Sequence, residues 1–121
     1  MILVDTSIWI DHLRGTGREL ATLLDAGRVL MHPFVLGELA CGNLRNRGHL
    51  LELMRGLPGA PVATDEEALT LIERHSLMGR GIGYIDVHLL ASAALAGTVA
   101  LWTGDRHLSS VAGDLKLGYR V

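Results

Sequence analysis

Met1-Ile2-Leu3-Val4-Asp5-Thr6-Ser7 opens the chain with a short apolar run, one acid and two hydroxyl residues. Ile2 to Val4 is too short for a buried helix and reads as a strand covered on both faces. Asp5 follows it directly and is the only charged residue before Asp11. Thr6 or Ser7 then caps a helix running from Ser7 to Leu13 with Ile8, Trp9, Ile10 and Leu13. A strand that delivers an acid into the turn before a helix is the first unit of an α/β fold.

The same alternation continues downstream. Arg18 to Ala26 has Leu20, Ala21, Leu23 and Leu24 at helical spacing and stops at Gly27. Val29 to Met31 reads as a second strand. Pro33 suits a first helical position and opens a helix to about Leu44. Leu50 to Met54 is a short helix broken by Gly56 to Pro61, and Val62-Ala63 is a brief strand. Asp65 caps a helix that holds Leu69, Ile72 and Leu77 and ends near Gly79. The loop Gly79-Arg80-Gly81-Ile82-Gly83 leads into an apolar helix from Tyr84 to Ala96. Val99 to Trp102 is a further strand and Tyr119 to Val121 a last one. Apolar strands alternating with helices predict an α/β fold of three layers, α/β/α, around a parallel β-sheet. Chemistry in such sheets collects beyond the carboxyl ends of the strands.

The chain has 121 residues, 49% of them hydrophobic, which is one domain's worth (1–121) and enough apolar surface for a core. No apolar run is long enough to span a bilayer or to serve as a signal peptide, so the expectation is a soluble, cytoplasmic protein with no membrane partner. The lone Cys41 excludes an internal disulfide framework and a multi-cysteine zinc site. The net charge of −2 carries no basic signature for nucleic acid, but ten of the eleven basic residues are arginine, the better bidentate partner for phosphate.

Most of the thirteen acids lie in mixed polar stretches and read as solvated faces. Four stand in apolar company. Asp5 follows the first strand. Glu38 is the only charge between Pro33 and Leu44, one turn from Phe34, Val35, Cys41 and Gly42. Asp86 is the only formal charge from Gly81 to Gly97, and Asp105 ends the run Val99 to Gly104. Asp5, Asp86 and Asp105 each have an ordinary reading as helix-end acids; Glu38, in mid-helix, does not. Burying an unpaired carboxylate costs several kcal/mol, and only Asp105 has a base next to it, Arg106. Asp5 and Asp105 follow strands and would share the sheet's carboxyl edge, and Asp86 would enter from a helix N-terminus; four clustered, unpaired oxygen donors are what a hard divalent cation needs: Mg²⁺, or Mn²⁺, rather than zinc.

Val4-Asp5-Thr6-Ser7, Gly37-Glu38-Leu39, Ile85-Asp86 and Leu101-Trp102-Thr103-Gly104-Asp105, in that order, resemble the PIN-domain pattern over essentially the whole chain. Within that group the sequence is most similar to VapC-type toxins of bacterial type II toxin–antitoxin systems. The resemblance implies a PIN-like α/β/α fold and an Mg²⁺-dependent ribonuclease. It implies that Asp5, Glu38, Asp86 and Asp105 form the catalytic acidic cluster, with Asp5 and Asp86 as principal metal ligands and Glu38 and Asp105 acting directly or through water. Thr6, Ser7 and Thr103 would orient those ligands. It further implies a VapB-type antitoxin, an RNA substrate and a homodimer. Trp9 and Phe34 near the proposed groove are compatible with an antitoxin helix covering it or, the favoured reading, with an ordinary core.

A carboxylate cluster alone repels a phosphodiester, and bound Mg²⁺ reverses that sign. Arg14, Arg45, Arg80 and Arg106 are candidates for phosphate contacts. The six histidines offer a rival, metal-free cleavage through the 2′-OH, but none shows ligand spacing with another. A phospho-receiver domain would need an acid between Met54 and Thr64 and a suitably placed lysine; the stretch has no acid and the only lysine is Lys116. A haloacid-dehalogenase-like phosphatase would want an Asp where Ser7 stands. A PIN-type module that binds RNA or protein without cutting is the non-enzyme alternative.

Overall fold

The computed structural model describes residues 1–120. Three parallel strands form the sheet: β1 (Ile2–Val4), β2 (Val29–Leu30) and β3 (Ala100–Trp102), in the order β2-β1-β3. Ile2 and Leu3 pair with Val29 and Leu30 on one side; Ile2, Leu3 and Val4 pair with Ala100, Leu101 and Trp102 on the other. All three β1 residues are buried, so both faces of the central strand are covered, as the continuous apolar run predicts.

Seven helices accompany these strands: α1 (Thr6–Leu13), α2 (Glu19–Asp25), α3 (Pro33–Ala40), α4 (Arg47–Arg55), α5 (Asp65–His75), α6 (Tyr84–Ala96) and α7 (Arg106–Asp114). The core joins the β-strands to Trp9, Leu20, Leu23, Val35, Leu39, Leu89, Leu90, Leu108 and Val111, among others. α6 buries every residue from Val87 to Ala93, which explains why this helix shows no polar face in the sequence. None of the helices among the described residues is long and apolar enough to cross a membrane.

Several boundaries differ from the sequence reading, each for a local reason. Asp5, not Thr6 or Ser7, caps α1: its Oδ1 accepts from the Thr6 N–H at 2.7 Å. α2 is one residue shorter at each end than Arg18 to Ala26. Met31 leaves β2 and instead bridges to Gly59, its N–H donating to the Pro58 carbonyl at 2.8 Å and its carbonyl accepting from Ala60 at 2.9 Å. The sheet's extra partner is therefore Gly59, not the expected strand at Val62-Ala63; Pro61, which lacks an N–H, stops any ladder there.

α3 ends at Ala40 rather than near Leu44, because Arg47 reaches back and donates from Nε and Nη2 to the Ala40 carbonyl at 3.1 and 2.8 Å. α4 correspondingly starts earlier than Leu50. Asp65 is not the cap of α5. Thr64 is, in a reciprocal box with Glu67: the Thr64 hydroxyl accepts from the Glu67 N–H, and the Glu67 carboxylate accepts from the Thr64 N–H. α5 stops at His75, where Ser76 takes a left-handed conformation, short of the expected end near Gly79. In place of a strand at Tyr119 to Val121 there is a single parallel bridge between Leu101 and Gly118; Val121 lies outside the described residues.

Candidate active site

Asp5 leaves β1 and Thr103 leaves β3, two neighbouring parallel strands, so both side chains stand at the carboxyl edge of the sheet. Asp5 is only 7% exposed and its carboxylate accepts three hydrogen bonds. Besides capping α1, it accepts at Oδ2 from the hydroxyls of Thr103 (2.7 Å) and Ser7 (3.0 Å). Ser7 Oγ in turn accepts from the Gly104 N–H at 2.9 Å, and Thr103 Oγ1 accepts from the Asp105 N–H at 3.0 Å. Two hydroxyls thus transmit the position of the 103–105 backbone to Asp5. The two segments pack closely at Gly104, where a Cβ would lie 3.4 Å from Ser7 Oγ.

Glu38 projects from α3 and accepts from the Thr6 hydroxyl at 2.7 Å, which ties α3 to the start of α1. Contrary to the apolar face inferred from its helical neighbours, Glu38 is exposed. Phe34, one turn before it, is partly exposed too, so this face of α3 opens to solvent. Asp105 is also exposed and caps α7 by accepting from the Leu108 N–H at 2.9 Å. Asp86 occupies the first turn of α6, half-buried, and accepts from the Gly83 N–H at 2.9 Å. That amide is a site component the sequence reading missed; the Gly83-to-Asp86 spacing of a first-turn acid was the available signal.

The other three acids act on Asp86. Burial is the largest influence on Asp86 and pushes its carboxyl above the usual carboxylate range. The Gly83 hydrogen bond opposes that shift, and the negative charges of Asp5, Asp105 and Glu38 reinforce it. Four acids from four separate stretches are therefore close enough for three of them to influence the fourth. They do not form a closed cage: among the described residues no three His, Cys, Asp or Glu side chains are grouped tightly enough to ligate one ion as they stand. Each carboxylate is turned to its own hydrogen-bond donor, the arrangement that mutual repulsion favours. The donor set is wholly oxygen, carboxylates backed by hydroxyls, which suits a hard cation and not zinc.

The arginines divide. Arg14 and Arg45 line a groove of about 310 Å³ together with Glu38, Leu39 and Gly42. Arg80 is bound to Asp114 at 2.8 Å. Arg106 begins α7 and is exposed beside Asp105. Trp9 is not at the site but 3% exposed in the core.

Two histidines are buried. His32 caps α3, accepting at Nδ1 from the Phe34 N–H, and burial with the neighbouring His88 lowers its pKa to about 4. His88 lies 3.1 Å from an Asp65 oxygen that also accepts from the Tyr84 hydroxyl at 2.7 Å. Asp65 was read as a cap alone, and nothing local in the sequence announces these contacts.

The sequence profile of the PIN domain family matches residues 2–114. The chain belongs to the PIN domain family. It is 44% identical over 114 residues to the proteins named Ribonuclease VapC32 from two strains of Mycobacterium tuberculosis, CDC 1551 / Oshkosh and ATCC 25618 / H37Rv. The match spans 94% of this chain and 92% of each relative, so the likeness extends over nearly the whole domain.

Proposed function

We propose that this PIN domain is the toxin of a type II toxin–antitoxin pair: a cytoplasmic endoribonuclease that hydrolyses RNA phosphodiester bonds with Mg²⁺, or Mn²⁺, and is neutralised by a VapB-type antitoxin. A relative named as a ribonuclease over nearly its whole length supports the class of reaction. The observation that carries the mechanism is the pressure on Asp86, half-buried and faced by the charges of Asp5, Asp105 and Glu38. Such a site is unfavourable to the protein alone and becomes favourable when a divalent cation neutralises it.

Asp5 and Asp86 would hold the principal ion, with Glu38 and Asp105 completing its environment directly or through water. When bound, the ion supplies positive charge at the phosphate and a more acidic water at neutral pH. Thr103, Ser7 and Thr6 fix the orientations of Asp5 and Glu38. Arg14 and Arg45, in the groove that includes Glu38, contact flanking phosphates, and Arg106 approaches from the Asp105 side. Arg80 joins them only by leaving Asp114. The active protein is a homodimer.

Cleavage of RNA oligonucleotides by the parent and by Asp86→Asn, with and without EDTA, tests this reading. Products bearing 5′-phosphate and 3′-hydroxyl ends, lost in EDTA and in Asp86→Asn, are expected. Cleavage that survives chelation and leaves 2′,3′-cyclic phosphate would overturn the metal route. No cleavage of any RNA would turn the assignment to a binding module.

A further inference from the structure

Among the described residues, Asp86 accepts one side-chain hydrogen bond, from the Gly83 N–H at 2.9 Å. Gly83 caps α6 and has no side chain, so this bond holds only while the backbone of the preceding loop stays in place. That backbone is loose by composition. Gly79 and Gly81 both take positive φ, +74° and +81°, a conformation that glycine enters freely. An amide at the end of such a loop needs an anchor outside it to remain on one carboxylate.

The anchor is α7. Arg80 Nη2 donates to Asp114 Oδ2 at 2.8 Å. Gly81 packs against His107: a Cβ at Gly81 would stand 2.6 Å from the ring Nδ1 and 3.1 Å from Cγ, closer than the ring could tolerate without moving. Ile82, half-buried, then packs on the core. His107 and Asp114 lie seven residues apart on α7, which puts them on one face and about 10 Å apart along the helix axis. Two adjacent loop residues thus grip one helix near both of its ends, the long arginine side chain covering the distance. The same helix is capped by Asp105. Side chains as exposed as those of the Arg80–Asp114 pair, at 35% and 63%, add little to global stability; what the pair supplies is a fixed position for the loop.

We propose that Arg80, through Asp114, and Gly81, through His107, are positioning residues that clamp the loop before α6 onto α7, keeping the Gly83 amide on Asp86 and holding Asp86 in register with Asp105 for a shared divalent cation. The role of the cation rests on the ribonuclease reading of the site; the clamp does not. Asp5, Asp105 and Glu38 repel Asp86, and a slack loop would yield to that repulsion. The clamp resists it, so the carboxylates meet the ion already in place.

The test uses the full chain, first without metal, and reads the Gly83 N–H by amide hydrogen exchange in NMR spectra. In Arg80→Ala and in Asp114→Ala its protection falls by about threefold, the scale of an exposed ion pair, while Leu90 inside α6 keeps its own. Arg80→Lys, which still offers Asp114 one donor, stays at the parent's value. Gly81→Ala forces a side chain into positive φ and displaces His107, and its protection falls by about tenfold. Adding His107→Ala to it lowers protection no further than additivity for one shared contact allows. Mn²⁺ titrations followed by electron paramagnetic resonance then rank the Kd values in the same order. Gly83 protection at the parent's level in both Ala variants of the pair would overturn the clamp. A loss spread evenly over α5, α6 and α7 would overturn it too, marking a pair that only stabilises the fold. Asp114→Ala that leaves protection and Mn²⁺ affinity intact and tightens RNA binding would instead make Arg80 a phosphate contact. Unchanged Mn²⁺ affinity in variants that lose Gly83 protection would overturn the positioning role. A parent that binds no Mn²⁺ would sink the metal reading, and Gly83 exchange would still decide the clamp.

Discussion

The Thr103 hydroxyl donates to Asp5 Oδ2 across 2.7 Å, joining residues at the ends of two neighbouring strands. The Thr103 Oγ1 also accepts from the Asp105 N–H, so one side chain contacts two of the candidate acids. Thr103→Val keeps the shape and removes both bonds. It is expected to lower RNA cleavage by about 10–100-fold, the usual range for losing a partner that orients a metal ligand. It also costs about 1–2 kcal/mol of stability, because Asp5 is buried and loses a donor. Thr103→Ser should restore both; equal activity in Val and Thr variants would show that the hydroxyl orients nothing.

Asp86 provides a second prediction with opposite signs for stability and activity. A carboxylate whose folded pKa lies above its unfolded value opposes folding as pH rises through that interval, so at neutral pH the metal-free protein carries this cost in full. Asp86→Asn removes the charge and can still accept from Gly83. Its melting temperature without metal should exceed the parent's, while cleavage is lost. A variant melting below the parent without metal would contradict the electrostatic account of this position.

Divalent cation should reverse that ranking. Binding to the native state alone stabilises by about 2.7 kcal/mol at a hundredfold excess over Kd, so Mg²⁺ raises the parent's melting temperature by several degrees. Asp5→Asn and Asp86→Asn should show little shift under the same titration, read by differential scanning fluorimetry. A flat titration for the parent would contradict cation binding, and equal shifts in all three would place the ion elsewhere.

The elements and site residues that were legible in the sequence share a local signature. Ile2–Val4 and Tyr84–Ala96 are uninterrupted apolar segments, and both occupy the expected positions. Asp5, Asp86 and Asp105 were visible because each is a lone charge at the end of such a segment. Glu38 was singled out for its apolar helical neighbours, and that reason fails: the residue is exposed, and what brings it to the site is the Thr6 hydroxyl from a distant helix. Boundaries set by remote groups were not legible. The end of α3 depends on the Arg47 guanidinium returning to Ala40, and the fourth partner of the sheet at Gly59 depends on Met31. The Thr64-to-Glu67 box was legible and overlooked, since a threonine three residues before a glutamate marks a helix start more firmly than Asp65 alone. The contacts of His88 with Asp65, Tyr84 and Phe34 link three helices and leave no periodic trace.

His32 predicts a loss of stability in mild acid. Its folded pKa of about 4 lies below the ordinary 6.5, so as pH falls through that window the unfolded chain takes a proton that the native state refuses. Stability attributable to this residue is complete above about pH 7 and falls by on the order of 2 kcal/mol by pH 5. His32→Asn retains an acceptor for the Phe34 N–H and cannot be protonated. Urea unfolding at pH 7 and pH 5 should show a smaller drop for the variant than for the parent; identical drops would assign the acid sensitivity to other groups.

The convergence of Asp5, Glu38, Asp86 and Asp105 on one hard cation is tested most directly by a crystal grown with saturating Mn²⁺ and recorded at the manganese absorption edge. The account predicts anomalous density at the carboxyl edge of the sheet, with Asp5 and Asp86 oxygens in direct contact with the ion. Density only at other surface acids, or none at this edge under saturating metal, would contradict it.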